Sequence, residues 1–323
     1  MYTDEELNTA VQQGIFNQQA VERFRAMVEQ RRASPSVDEE NFRLLSGFND
    51  VFVVIACMVL LVSAFWLVSD TVAGGWLVAL LSWGLAEFFV RKRRMALPAI
   101  ALLLSFAGGA VFGLGYGEHS LGDDMSVWPL LVLALLVGLH WWRFRVPITV
   151  AAGTATLMLY LIGLGMKVWP EDTQWLLFLV AGLAVFMLAM WWDLSDRQRL
   201  THRADVAFWL HLLAAPLIVH PLFLGVGFFD DGASSSQALF VIVAYLVLVV
   251  LSLVIDRRAF MVSSLGYVIY ALNQLLDDTG IEIGAALVGV VMGSALLLLS
   301  AWWHAARRQL VQRLPPSWQA RLP

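Results

Sequence analysis

Charge is scarce in this chain: only 14% of its 323 residues are charged, while 59% are hydrophobic. A soluble domain carries about a quarter charged residues, so water is excluded as the main solvent here. Cysteine is nearly absent as well. Cys57 stands alone in an apolar stretch with no electropositive neighbour, which excludes an intramolecular disulfide and reads as a buried, inert thiol. The chain also lacks a GxxxxGK[ST] phosphate loop, an HExxH zinc site, a GxSxG nucleophile turn and a CxxC pair. ATP-driven transport by this chain alone, zinc or serine hydrolysis and dithiol chemistry therefore have no residues to carry them, and no cofactor is expected. Intramembrane proteolysis lacks its usual pairs of polar residues at helix depth. The basic residues form no continuous face, so nucleic acid has no platform. A cleavable signal peptide is not read either: the first 50 residues are polar, and the block Val51 to Val68 lacks a small-residue cleavage site and is expected to stay as an anchor.

What is present in excess is long apolar runs. Ten can be drawn, at 51–68, 74–90, 95–117, 127–142, 146–166, 174–192, 206–228, 238–255, 259–276 and 283–303. Each approaches the ~20 helical residues that cross about 30 Å of hydrocarbon. The connections between them alternate in charge. One set holds Arg91, Lys92, Arg93 and Arg94, then Arg143 and Arg145, then Arg197, Arg199 and Arg203, then Arg257 and Arg258, with Arg307, Arg308 and Arg313 after the last run. The other holds Asp70, then Glu118, Asp123 and Asp124, then Glu171 and Asp172, then Asp230 and Asp231, then Asp277, Asp278 and Glu282, with Lys167 as its one cation. Short Lys/Arg loops stay in the cytoplasm, which places the first set inside, together with both termini. Paired tryptophans (141/142, 191/192, 302/303) before arginines, and Trp76, Trp128, Trp169 and Trp175 opposite, mark the two interfaces. The fold class expected is an all-α polytopic bundle of about ten helices, built as four hairpins around the arginine turns with a flanking helix at each end. The turns recur in pattern, as in "WWRFRVPITV" and "VIDRRAFMVS", and this rhythm fits either internal duplication or plain alternation.

Residues 1–33 read as a small cytoplasmic helical hairpin, 34–50 as a linker and interfacial helix, 51–303 as the membrane domain and 304–323 as a cytoplasmic tail. Thr3 and Glu6 make a capping box, Leu7, Ala10 and Val11 share a face, and Gly14 ends the first helix. Asn17 caps a second helix whose stripe is Val21, Phe24 and Val28. The segment "ASPSV" breaks it, after which Phe42, Leu45 and Phe48 suit an interfacial helix. Such a hairpin is too small to hold a core alone, so it should pack on a protein partner, a second copy or the membrane surface. The opening "ELNTAVQQGIFNQQAVERFRAMVEQ", followed by a break and a multi-pass region, resembles a family of predicted bacterial membrane proteins classed as a domain of unknown function. The hairpin is also similar to short helical modules associated with oligomerisation. The resemblance implies an inner-membrane location and brings no catalytic residues.

Polar residues inside the runs are few, and each is a candidate. Glu87 precedes Arg91 by one turn, as a surface pair or a proton-carrying carboxylate. The seventh run sets His211 and His220 around Pro216 and before Pro221, so a kinked or locally opened helix is expected, the kind of backbone tolerated only beside protein or a water-filled cavity. The histidines are about 13 Å apart along the axis and nearly opposite, so they should not share a metal. In the ninth run Tyr267, Tyr270 and Gln274 share a face, with Asn273 beside them, either lining a polar path or bridging helices. His140 and His304, next to double tryptophans, read as interface anchors. Gly109, Gly113 and Gly117, and Gly289 and Gly293, recur every four residues as strips for close helix approach, within the chain or between copies. The acidic pairs Asp123/Asp124, Asp230/Asp231 and Asp277/Asp278 lack a DxDxDG calcium pattern, so no metal site is assigned. Two functions fit: a non-enzymatic scaffold or subunit of a membrane assembly, and a permease for a small or lipidic substrate near the seventh helix. A third, an intramembrane enzyme, would need a polar cluster that the sequence does not assemble. A reporter fused near Asp124 or Asp231 should read as extracytoplasmic; a cytosolic signal would overturn the topology.

Overall fold

The computed structural model describes residues 9–11, 13–24, 48–68, 71–115, 126–196, 201–225, 227, 235–277, 284–319 and 322. The chain divides into two compact units, Met1–Arg43 and Leu44–Pro323. Within the first, residues 9–11 and 18–24 are helical. Gly14 lies at φ +70° and donates its N–H to the Val11 carbonyl at 3.0 Å, the left-handed stop that a residue without Cβ makes cheaply. Asn17 Oδ1 accepts from the Ala20 N–H at 2.6 Å and so caps the next helix. The capping box at Thr3 and Glu6, the second helix beyond Phe24, the "ASPSV" break and the interfacial positions Phe42 and Leu45 lie outside the described residues.

The second unit is helical throughout its described elements, with no strand among them. They are α1 (Phe48–Leu67), α2 (Val72–Ala86, continued by a π-helical turn Glu87–Lys92), α3 (Ala96–Gly113), α4 (Trp128–Phe144), α5 (Pro147–Met166), α6 (Trp175–Ser195), α7 (His202–Leu224), α8 (Ser235–Ile255), α9 (Ala259–Asp277), α10 (Gly284–Gln312) and the short α11 (Pro316–Gln319). Nine of the described helices are long and apolar enough to cross a membrane, and the chain is a polytopic membrane bundle. The tenth apolar helix, α4, has 17 residues. At about 25 Å it falls a few ångströms short of the hydrocarbon, a mismatch that local thinning of the bilayer absorbs at modest cost. The most extensive pairings are α2 with α3, α4 with α5, α6 with α7 and α8 with α9, the four hairpins expected around the arginine turns, with α1 and α10 flanking them.

Three of those hairpins turn on the same backbone device. Arg94, Arg145 and Asp256 sit at φ 54°, 56° and 56°, each in the turn that joins the two helices of its hairpin. A left-handed L-residue costs about 1–2 kcal/mol, and here it reverses the chain within two or three residues. Pro147 then opens α5, at a position where its missing N–H has no helical acceptor to lose.

The prolines of α7 open nothing. The helix is continuous from His202 to Leu224 through Pro216 and Pro221, without the local opening that was one of the two forms expected from the sequence. Half of its core stretch is buried, a larger share than in any other described span. Pro221 leaves the Leu217 carbonyl without its usual donor, and α6 covers that carbonyl: a Cβ at Gly182 would lie 2.7 Å from Leu217 C and 2.8 Å from its O. Packed protein thus replaces the missing hydrogen bond, and no cavity is needed there. A second difference lies at the C-terminus, where α10 continues through the expected tail to Gln312, bending at Trp302 (φ −107°, ψ 15°). Ala306 and Leu310 carry its apolar face onward to pack beside Trp303.

The glycine strips divide in use. Gly109 and Gly113 lie against Gly75 of α2, where an added Cβ would fall 2.5 Å from Gly113 N and 2.7 Å from Gly109 O. Gly289 and Gly293 meet nothing within 4 Å, and Gly117 is outside the described residues. Gly75→Ala or Gly109→Ala should therefore lower stability by about 1–3 kcal/mol in detergent unfolding, as overpacking does. Gly289→Ala should leave the transition unchanged.

Candidate functional site: a buried ionic centre

Asp193 closes the apolar face of α6 directly after Trp191 and Trp192, and its side chain is 0% exposed. A carboxylate at that depth needs compensation on every lone pair. Arg257 supplies most of it from the α8–α9 turn: its Nε donates to Oδ2 at 3.1 Å and its Nη2 to Oδ1 at 2.5 Å, a two-pronged clamp. His211 of α7 completes the shell, with Nε2 3.2 Å from Oδ2. An ionised carboxylate only accepts, so Nε2 carries the proton of that bond. Phe186 of α6 seals the group, edge-on to His211 at 5.6 Å and to Phe260 at 5.5 Å.

The neighbouring residue points the other way. With Asp256 left-handed, its carboxylate accepts from Trp303 Nε1 at 2.7 Å and lies 3.6 Å from Arg307 Nε, both on α10. Within the same turn Arg257 N–H donates to the Ser252 carbonyl at 2.9 Å and Met261 N–H to Ser252 Oγ at 3.1 Å, which fixes the backbone. Two consecutive residues of opposite charge therefore tie α6 and α7 on one side to α10 on the other.

The structure brings His220 and Tyr267 together among the residues singled out from the sequence, and gives His211 a different partner. His211 goes to Asp193, whereas His220 Nδ1 meets the Tyr267 hydroxyl of α9, with Phe223 stacked on Tyr267 at 4.6 Å. Tyr270 faces outward, 54% exposed. Asn273 Oδ1 is buried without a hydrogen-bond partner among the described residues, and Gln274 is half-buried one position on. Pro216 and Pro221 lie inside unbroken helix. Glu87 has Arg143 of α4 as its main partner, at 2.7 Å and 2.8 Å through two nitrogens; the expected partner Arg91 is 3.4 Å away. His140 is no interface anchor: it is 1% exposed, ringed by Trp83, Phe106 and Phe144 at 5.7, 5.3 and 4.6 Å, and neither ring nitrogen has a hydrogen-bond partner among the described residues. Cys57 is buried as expected. Among the described residues no group of three or more His, Cys, Asp or Glu side chains could hold a metal.

Compared with known proteins, the chain matches no family model, no curated protein and no solved structure. Asp193, Asp256 and the inward role of Arg257 were missed from the sequence because Asp193 lay one residue past an apolar run and Arg257 resembled any loop cation. One signal was available: both aspartates break the charge segregation, standing as acids among the arginine turns. Arg257→Ala should destabilise the protein by about 3–5 kcal/mol, because it strands a buried carboxylate, and Asp193→Asn with Arg257→Gln together should recover most of that loss in the same unfolding measurement.

Proposed function

We propose that this chain is a non-enzymatic, multi-pass protein of a bacterial-type inner membrane, with both termini in the cytoplasm, acting as a scaffold or subunit of a membrane assembly. The observation that carries this reading is the separate engagement of the two histidines of α7. His211 is bound to Asp193, which Arg257 clamps, and His220 to Tyr267, on different neighbours of one packed helix. A proton or solute path would need such groups to share a wetted space. Neither histidine lines the hollows described: one of about 490 Å³ on the outer face of α2 beside Glu87 and Arg91, and one of about 220 Å³ between α9 and α10. The cytoplasmic side is assigned from the arginine turns, and the bacterial inner membrane from the resemblance of the opening segment to predicted proteins of that membrane.

Recruitment is assigned to the N-terminal hairpin. Ile15 and Phe16 at its turn are 65% and 48% exposed, apolar surface open to a partner. Full-length protein and a variant lacking residues 1–50 are to be compared in nanodiscs by cross-linking and mass photometry. The deletion should lose a partner or a second copy. An unchanged assembly would remove the scaffold reading, and solute uptake into proteoliposomes that falls in Tyr267→Phe would put transport in its place.

A further inference from the structure

At its arginine-bearing end α2 changes helix type. Over Glu87–Lys92 the turn is π-helical, and the Arg93 N–H donates to the Phe88 carbonyl, five residues back, at 3.0 Å. Such widened turns are rare and concentrate at functional sites. Each residue advances round the axis by less than the α-helical angle, so Glu87, Phe88, Arg91 and Lys92 crowd one side. Gly84 lies about one turn below them, and its missing side chain leaves open space: a Cβ there would meet nothing within 4 Å. Together these residues line the hollow of about 490 Å³.

Charge in this hollow is unequal. Glu87 is the acid among its lining residues, and Arg143 of α4 takes both carboxylate oxygens, at 2.7 Å and 2.8 Å. That pair cancels, which leaves the charges of Arg91 and Lys92 in excess. Arg91 lies 3.4 Å from the same carboxylate and is 57% exposed, while Lys92 is exposed and has no acidic partner among the described residues. Arg93 adds a cation at the rim, its guanidinium over the Phe88 ring at 5.6 Å from the centroid. The apolar side is as distinct: Leu80, Gly84 and Phe88 recur every four residues, and Leu80 and Phe88 are 70% and 44% exposed. Because α2 with its π turn is long and apolar enough to span, this row faces hydrocarbon and meets the cations at the end of the span. From Lys92 back to Leu80 is about 18 Å along the axis, room for much of one acyl chain.

We propose that this hollow binds one anionic phospholipid, with its phosphate on Arg91 and Lys92 and one acyl chain laid along Phe88, Gly84 and Leu80. A guanidinium fork beside an ammonium supplies several charge-assisted donors to phosphate oxygens. A zwitterionic lipid brings its own cation, which the excess positive charge disfavours, and a soluble phosphate would leave the apolar notch unfilled.

Native mass spectrometry of the full-length protein, delipidated and titrated with dioleoyl phosphatidylglycerol or dioleoyl phosphatidylcholine, tests the assignment. The anionic lipid should occupy one site, and Lys92→Gln should weaken it about tenfold, the loss of one charge-assisted contact. Lys92→Arg should bind as wild type. Gly84→Phe, which fills the notch from an exposed position, should weaken binding comparably with every cation kept. Arg313→Gln, a cation outside the hollow, should leave binding unchanged. Equal binding of phosphatidylcholine, a Lys92→Gln or Gly84→Phe variant that holds the lipid as well as wild type, or an equal loss in Arg313→Gln would overturn the proposal. Glycerol 3-phosphate that displaces nothing at millimolar concentration supports a lipid source; full displacement by it would show a soluble phosphate site and overturn the acyl-chain assignment.

Discussion

Hydrocarbon offers a polar group nothing to bond to, and most of this architecture follows from how the chain answers that constraint. The backbone answers with helices. The side chains answer by pairing across them, most completely at Asp193, whose carboxylate collects a guanidinium, an imidazole and no solvent. Where pairing fails, packing substitutes, as at the Leu217 carbonyl that Pro221 orphans and Gly182 covers. The same accounting explains why α7, carrying two prolines and two histidines, is the most deeply enclosed span: its irregularities can exist only where neighbours reach them.

The four hairpins give these pairings their geometry. Each short turn brings two helices together in antiparallel contact, and three of the turns use one left-handed residue to do so. In the α8–α9 turn that residue is Asp256, and its backbone sends Asp256 and Arg257 to opposite sides. Association of helices in lipid gains little from apolar burial, so close backbone contact at Gly75 with Gly109 and Gly113, and charge clamps such as Glu87 with Arg143, carry the specificity of the bundle.

The overall plan was legible because its signals are long and redundant. Apolar length, the alternation of arginine and acidic turns, and caps at Gly14 and Asn17 each report a local property that the backbone must satisfy whatever surrounds it. The site was less legible because it depends on direction. Arg257 and Arg258 are adjacent and chemically identical, yet one is buried on Asp193 and the other stacks on Trp303, and only the turn geometry distinguishes them. Gly109 and Gly289 share a spacing and differ in having a neighbour. His140 resembled an anchor beside tryptophans but lies inside an aromatic cage, since helix rotation is invisible in a run that is apolar on every side.

The separation of Asp193 from Arg257 along the chain has a consequence for biogenesis. The two are 64 residues apart. At a synthesis rate of about 5–20 residues per second, the acid leaves the ribosome roughly 3–13 s before its counter-ion exists. Through that interval the nascent α6–α7 hairpin has only the His211 imidazole, and no guanidinium, to set against the Asp193 carboxylate, so full burial of that acid is favoured from the moment when the next hairpin arrives.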